Sequence, residues 1–98
     1  MPQPKLYILG HVYRIIREQK KGWAGHCDTR QAVVAVYPGS AATIQGETLV
    51  HEVIHAISDA AGIRCTERQV GQLAVGLHHF LTANPEYARK IIRRQRIL

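Results

Sequence analysis

The pattern of apolar and polar residues changes near residue 40. Before it, apolar residues come in short β-prone runs, Leu6-Tyr7-Ile8-Leu9 and Val12-Tyr13-Arg14-Ile15-Ile16, broken at Gly10. Lys20-Lys21-Gly22 reads as a turn, and Trp23 to Asp28 as another short strand. Gln31-Ala32-Val33-Val34-Ala35-Val36-Tyr37 is the clearest strand, ended by Pro38-Gly39. The connections are short, so an antiparallel meander of three to four strands is expected.

After residue 40 the pattern is helical. Ser40 is placed to cap a helix running to about Ala61, and Gly62 to end it as a C′ glycine. Thr66 and Gln69 form a T-x-x-Q capping box that opens a second helix. Val70, Leu73, Ala74, Leu77 and Leu81 give that helix an apolar stripe. Asn84-Pro85 interrupts it, and Glu86 to about Arg94 reads as a short basic helix. The expected fold is α+β: a β-meander packed on two antiparallel helices, with a third short helix after them. The 98 residues suffice for one domain. Its parts are 1–39 (sheet), 40–84 (two helices) and 85–98 (basic helix and tail).

Charge adds one feature to this outline. The net charge is +6, and Arg89, Lys90, Arg93, Arg94 and Arg96 all lie in the last ten residues. Such a run could touch nucleic acid, acidic protein or an anionic surface. The plainer reading is a solvated helix end, where cations also suit the helix dipole. Cys27 and Cys65 are too few for a disulfide framework and are expected to be free, in a reducing cytoplasmic setting. Met1-Pro2-Gln3-Pro4-Lys5 does not begin a secretion signal. The apolar stretches are too short to span a bilayer, so no membrane partner is expected.

The densest chemistry is His51-Glu52-Val53-Ile54-His55. Residues four apart on a helix share a face, so both imidazoles can reach one tetrahedral zinc ion. Glu52 points to one side of that face, where it can act as general base toward water. Leu49-Val50 and Val53-Ile54 make the helix apolar enough to be buried. A catalytic zinc takes three protein ligands as a rule. The later carboxylates are Asp59, Glu67 and Glu86. Asp59 sits two turns beyond His51, which suits an acceptor for an imidazole N–H better than a ligand. Glu86 follows the proline break. His55 is about 10 Å from the helix end, and the link through Gly62 can return that distance, so Glu67 is the candidate third ligand. The other reading of Glu67 is a carboxylate favoured by the helix dipole. His78-His79 lies too far along the second helix to share this metal. Trp23 is expected in the core.

Thr48 to Ile57, followed by Glu67-Arg68-Gln69-Val70-Gly71-Gln72-Leu73-Ala74, resembles the small gluzincin-type metallopeptidases. The likeness is greatest to short phage- and prophage-type proteins and the ImmA/IrrE-type peptidases. Their second helix begins E-x-x-A-x-x-F-A; here Val70 and Leu73 replace the alanine and phenylalanine. The resemblance spans about residues 31–86. It implies zinc on His51, His55 and Glu67, with Glu52 as the base. It also implies a substrate peptide added along the strand nearest the metal, for which Gln31, Val33, Ala35 and Tyr37 are the candidates. Tyr37, His26 and His79 are candidate oxyanion stabilisers. The expected function is hydrolysis of peptide bonds in an extended protein segment. The alternative is a non-catalytic, zinc-stabilised protein- or nucleic-acid-binding module of phage type.

Overall fold

The computed structural model describes residues 4–18 and 22–98. The expected turn at Lys20-Lys21 falls outside them. Strands β1 (Lys5–Ile8) and β2 (His11–Arg17) form a hairpin. Its two-residue loop, Leu9-Gly10, has positive φ at both positions (46° and 81°), the twist that suits flanking β-strands. Strands β3 (Gly25–Asp28) and β4 (Val33–Val36) form a second antiparallel pair. Asp28 organises their link, its Oδ1 accepting from the backbone N–H groups of Arg30 and Gln31, both at 3.0 Å.

The sheet order is β1-β2-β4-β3, and β4 runs parallel to β2. The sheet is therefore mixed, and differs from the expected meander in this one pairing. The reason lies in the Val33-Val34-Ala35-Val36 run, which is buried at every position. A strand apolar on both faces is stable inside a sheet, so β4 inserts between β2 and β3.

Three helices follow: α1 (Ala42–Ala61), α2 (Glu67–Ala83) and α3 (Pro85–Ile92). The first begins two residues after Ser40, with Ala41 at the N-cap and no side-chain cap. Gln45 holds this start from within the helix, its Nε2 donating to the carbonyls of Ser40 (2.7 Å) and Pro38 (3.3 Å). Gly62 ends α1 in the left-handed conformation (φ 69°). Thr66 and Gln69 close the capping box in both directions. Pro85 supplies the first residue of α3, where its missing N–H costs nothing.

α1 lies over β3 and β4 and reaches β1, while α2 packs on α1 and on no described strand. Two small cores result. Ile8, Tyr13, Val34, Val36 and Ala56 close the sheet against α1. Ile54, Val70 and Ala74 join α1 to α2. The expected stripe on α2 is thus half used: Val70 and Ala74 are buried, but Leu73, Leu77 and Leu81 stay partly exposed. Trp23 is not in the core. It is 46% exposed just before the edge strand β3, edge-on to His26. No described helix is long and apolar enough to cross a membrane.

The capping box sets where α2 begins, and so where Glu67 stands. Thr66→Ala should cost about 1 kcal/mol of stability, with Thr66→Ser recovering most of it. Urea unfolding of the metal-free protein measures this, and unchanged stability in Thr66→Ala would show that the cap contributes nothing.

Candidate metal centre

α1 and α2 form an antiparallel hairpin that brings the start of α2 beside the middle of α1. The capping box orients the first turn, and Val70 and Ala74 clamp it against Ile54. Glu67, the first residue of α2, then faces the histidines. Its Oε1 lies 2.7 Å from His51 Nε2, and its Oε2 lies 2.9 Å from His55 Nε2. The two imidazole rings stand 5.1 Å apart, inclined at 60°.

His51, Glu52 and His55 form a group whose donor atoms lie within 4.8 Å of one another, and this group could hold a metal ion. The donor chemistry fits: imidazole nitrogen and carboxylate oxygen are both common metal ligands. Two carboxylates, Glu52 and Glu67, adjoin the same pair of rings, and their settings differ. Glu52 is 6% exposed, whereas the Glu67 side chain is 73% exposed. Each Glu67 oxygen already meets one Nε2. Ligands of a tetrahedral zinc stand about 3.3 Å apart, set by bonds of about 2 Å. An exposed side chain can yield the small difference. With Nε2 protonated, each ring donates to Glu67; without that proton, the same nitrogen presents a lone pair.

The two carboxyls are pushed apart in acidity. Burial raises Glu52 above the usual carboxylate range, and Glu67 adds to this, while the charges of His51 and His55 oppose it. For Glu67, partial desolvation also acts upward, but the hydrogen bond from His51 and the charge of His55 outweigh it and hold its carboxyl low. Glu67 thus holds its charge more firmly than an ordinary carboxylate, and Glu52 takes a proton more readily than one.

The third wall is β3. A Cβ on Gly25 would lie 2.5 Å from the Ala35 carbonyl oxygen and 2.6 Å from Thr48 Cγ2. Only glycine allows the strand this close to α1, one turn before Glu52. Recesses of about 360 and 660 Å³ open on either side of Glu52, and Gly25 lines both. Gly25, its contact with Thr48 and the edge position of β3 were not anticipated from sequence. The small residue in an otherwise β-prone segment was the available signal.

The substrate-strand candidates do not hold. β4 is bonded to β2 on one side and β3 on the other, so it has no edge to offer. Val33 and Ala35 are buried, Gln31 lies in the turn before the strand, and the Tyr37 ring lies over Gly39. Among the described strands, β3 is the edge strand beside this candidate group. Tyr37 N–H donates to Ala24 C=O at 2.8 Å, so alternation turns the N–H and C=O groups of Gly25 and Cys27 away from β4.

The other candidates are dispersed. Asp59 is exposed, lines the larger recess with His55, and bonds to neither imidazole. His26 lines the larger recess with Glu52 and His55, and its charge acts on Glu52, while its Nε2 pairs with Glu18 at 3.0 Å. His78 packs against Gly46, and His79 is exposed farther along α2. Of the three oxyanion candidates, His26 lines the larger recess, while Tyr37 and His79 line neither recess.

Cys27 and Cys65 are free and half-buried. Burial, with Glu52, Asp28 and Asp59 nearby, pushes the Cys27 thiol from 9.0 up to about 11. The reactive thiolate is therefore scarcer in the folded state. In metal-free protein at pH 8, iodoacetamide should alkylate Cys27 about 100-fold more slowly than in urea, with the native rate still rising above pH 10. Equal rates at pH 8 in the two states would contradict this.

No protein-family profile, curated protein or solved structure matches the chain.

Proposed function

We propose that the protein is a zinc-dependent peptidase of the gluzincin type, hydrolysing peptide bonds in an extended segment of protein chain. The observation that carries this reading is the placing of a buried carboxylate, Glu52, beside two imidazoles and a second carboxylate on one helical hairpin. The resemblance of the two helices to the small phage-type and ImmA/IrrE-type peptidases supports the same reading.

His51, His55 and Glu67 would hold the ion. A bound zinc ion supplies a Lewis acid that polarises a peptide carbonyl and acidifies nearby water. Glu52 takes the proton from the attacking water and returns it to the leaving amine. Its raised proton affinity suits both steps, because a base that is too weak cannot take the proton. The edge of β3 receives the substrate by strand addition through the backbone groups of Gly25 and Cys27. The recesses beside Glu52 take the flanking side chains, one bordered by Ile44 and Glu47, the other by Ser58 and Arg64. A base beside the ligands is needless in a purely structural site, so Glu52 favours catalysis over the binding-module alternative.

The test uses the purified chain, its metal content and a peptide library. About one zinc per chain is expected, with cleavage abolished by chelation. Glu52→Gln should keep the zinc and lose at least about 100-fold in activity, the usual contribution of a general base. Glu67→Ala should weaken zinc binding. Full zinc affinity in Glu67→Ala would remove Glu67 from the ligand set. A wild type that holds zinc and cleaves nothing would favour the zinc-stabilised module.

A further inference from the structure

We propose that α3 and the distal end of α2 form a docking face for an anionic lipid bilayer. On α3, Tyr87, Ala88, Ile91 and Ile92 share one side of the helix, and Glu86, Arg89 and Lys90 the other. Ala88 alone is buried. Ile91 is 55% exposed and Ile92 77% exposed. The distal half of α2 adds Leu77, Phe80 and Leu81, all partly exposed. Two consecutive helices thus leave apolar side chains exposed, and no described strand packs on α2.

Charge narrows the choice of partner. Residues 85–98 carry Arg89, Lys90, Arg93, Arg94 and Arg96 against a single carboxylate, Glu86. Glu86 is itself held 3.7 Å from Lys90. Cations around an exposed apolar helix face match the interfacial region of a bilayer with acidic headgroups. Nucleic acid would reward the arginines but leave the isoleucines in water. A partner helix would need a groove. The recesses between the sheet and α1, and along the start of α2, do not extend to Leu77, Phe80, Tyr87, Ile91 or Ile92. None of those recesses offers a groove at this face. The chain need not cross the membrane; its helices lie on it.

The face also leaves the metal group open. Phe80 lies thirteen residues beyond Glu67, about 20 Å along α2. Docking is thus independent of zinc and of peptidase activity.

The experiment is co-flotation of the full chain with phosphatidylcholine vesicles, with and without 30 mol% (roughly a third) phosphatidylglycerol, at about 0.15 M salt. Binding is expected only to the anionic vesicles. Arg93→Gln with Arg94→Gln should weaken it about 30-fold, from the usual worth of two cations near such a surface. Ile91→Ser with Ile92→Ser should weaken it at least tenfold (about 1.4 kcal/mol or more). All four positions are exposed, and far-UV circular dichroism checks that each variant stays folded. No binding to anionic vesicles overturns the proposal. So does binding that needs the arginines and ignores the isoleucines, which marks a general polyanion contact, or binding to neutral vesicles of equal strength.

Discussion

One carboxylate set across two imidazoles decides the arrangement of the helical half of this protein. Glu67 meets His51 and His55 with separate oxygens, so a slide or turn of α2 against α1 must be taken up by this one side chain. The apolar join between the helices is small, resting on Ile54, Val70 and Ala74. Apolar packing is non-directional, so a two-pronged polar contact adds the orientation that Ile54, Val70 and Ala74, with Val50 and Cys65 beside them, do not supply. The same geometry draws the donors of the candidate metal centre together. Register and chemistry thus depend on one side chain, which is mostly exposed and free to adjust to what it binds.

The sheet contributes by proximity. Gly25 lets β3 approach Thr48 on α1 so closely that a single added carbon would strike both a backbone carbonyl and a side chain. Thr48 lies one turn before Glu52, and both are buried. Burial there does two things: it packs the strand against the helix, and it raises the proton affinity of Glu52. Packing and acid–base character have a common origin in the close approach of one strand.

What was legible in the sequence follows from how local the signal is. Gly62 and Thr66 act within their own helix ends, so the α1–α2 turn and the place of Glu67 could be read directly. His51 and His55 share a face because of helical spacing alone. Pairing between distant strands is a different matter. The position of β4 between β2 and β3 depends on which runs are apolar on both faces, and Val33 to Val36 carried that signal without the partner being named. For this reason the strand at the sheet edge was not the one expected: the most strand-like segment is the one most enclosed by neighbours. Trp23 and the α2 stripe show a related limit. Periodicity tells which side of Leu73, Leu77 and Leu81 is apolar, but not whether anything covers it.

The free edge of β3 has another side. Unpaired N–H and C=O groups are a template for any extended chain, including a second copy of the protein. Two such edges meeting would join the sheets and bring both histidine–carboxylate groups to the seam. The edge is short, four residues, and ends in Asp28, whose carboxylate is held by the turn that follows. Brevity and a charge at the margin are the usual devices that keep an exposed strand from joining its own kind. Self-association at this edge and access to the site would therefore compete for the same backbone groups.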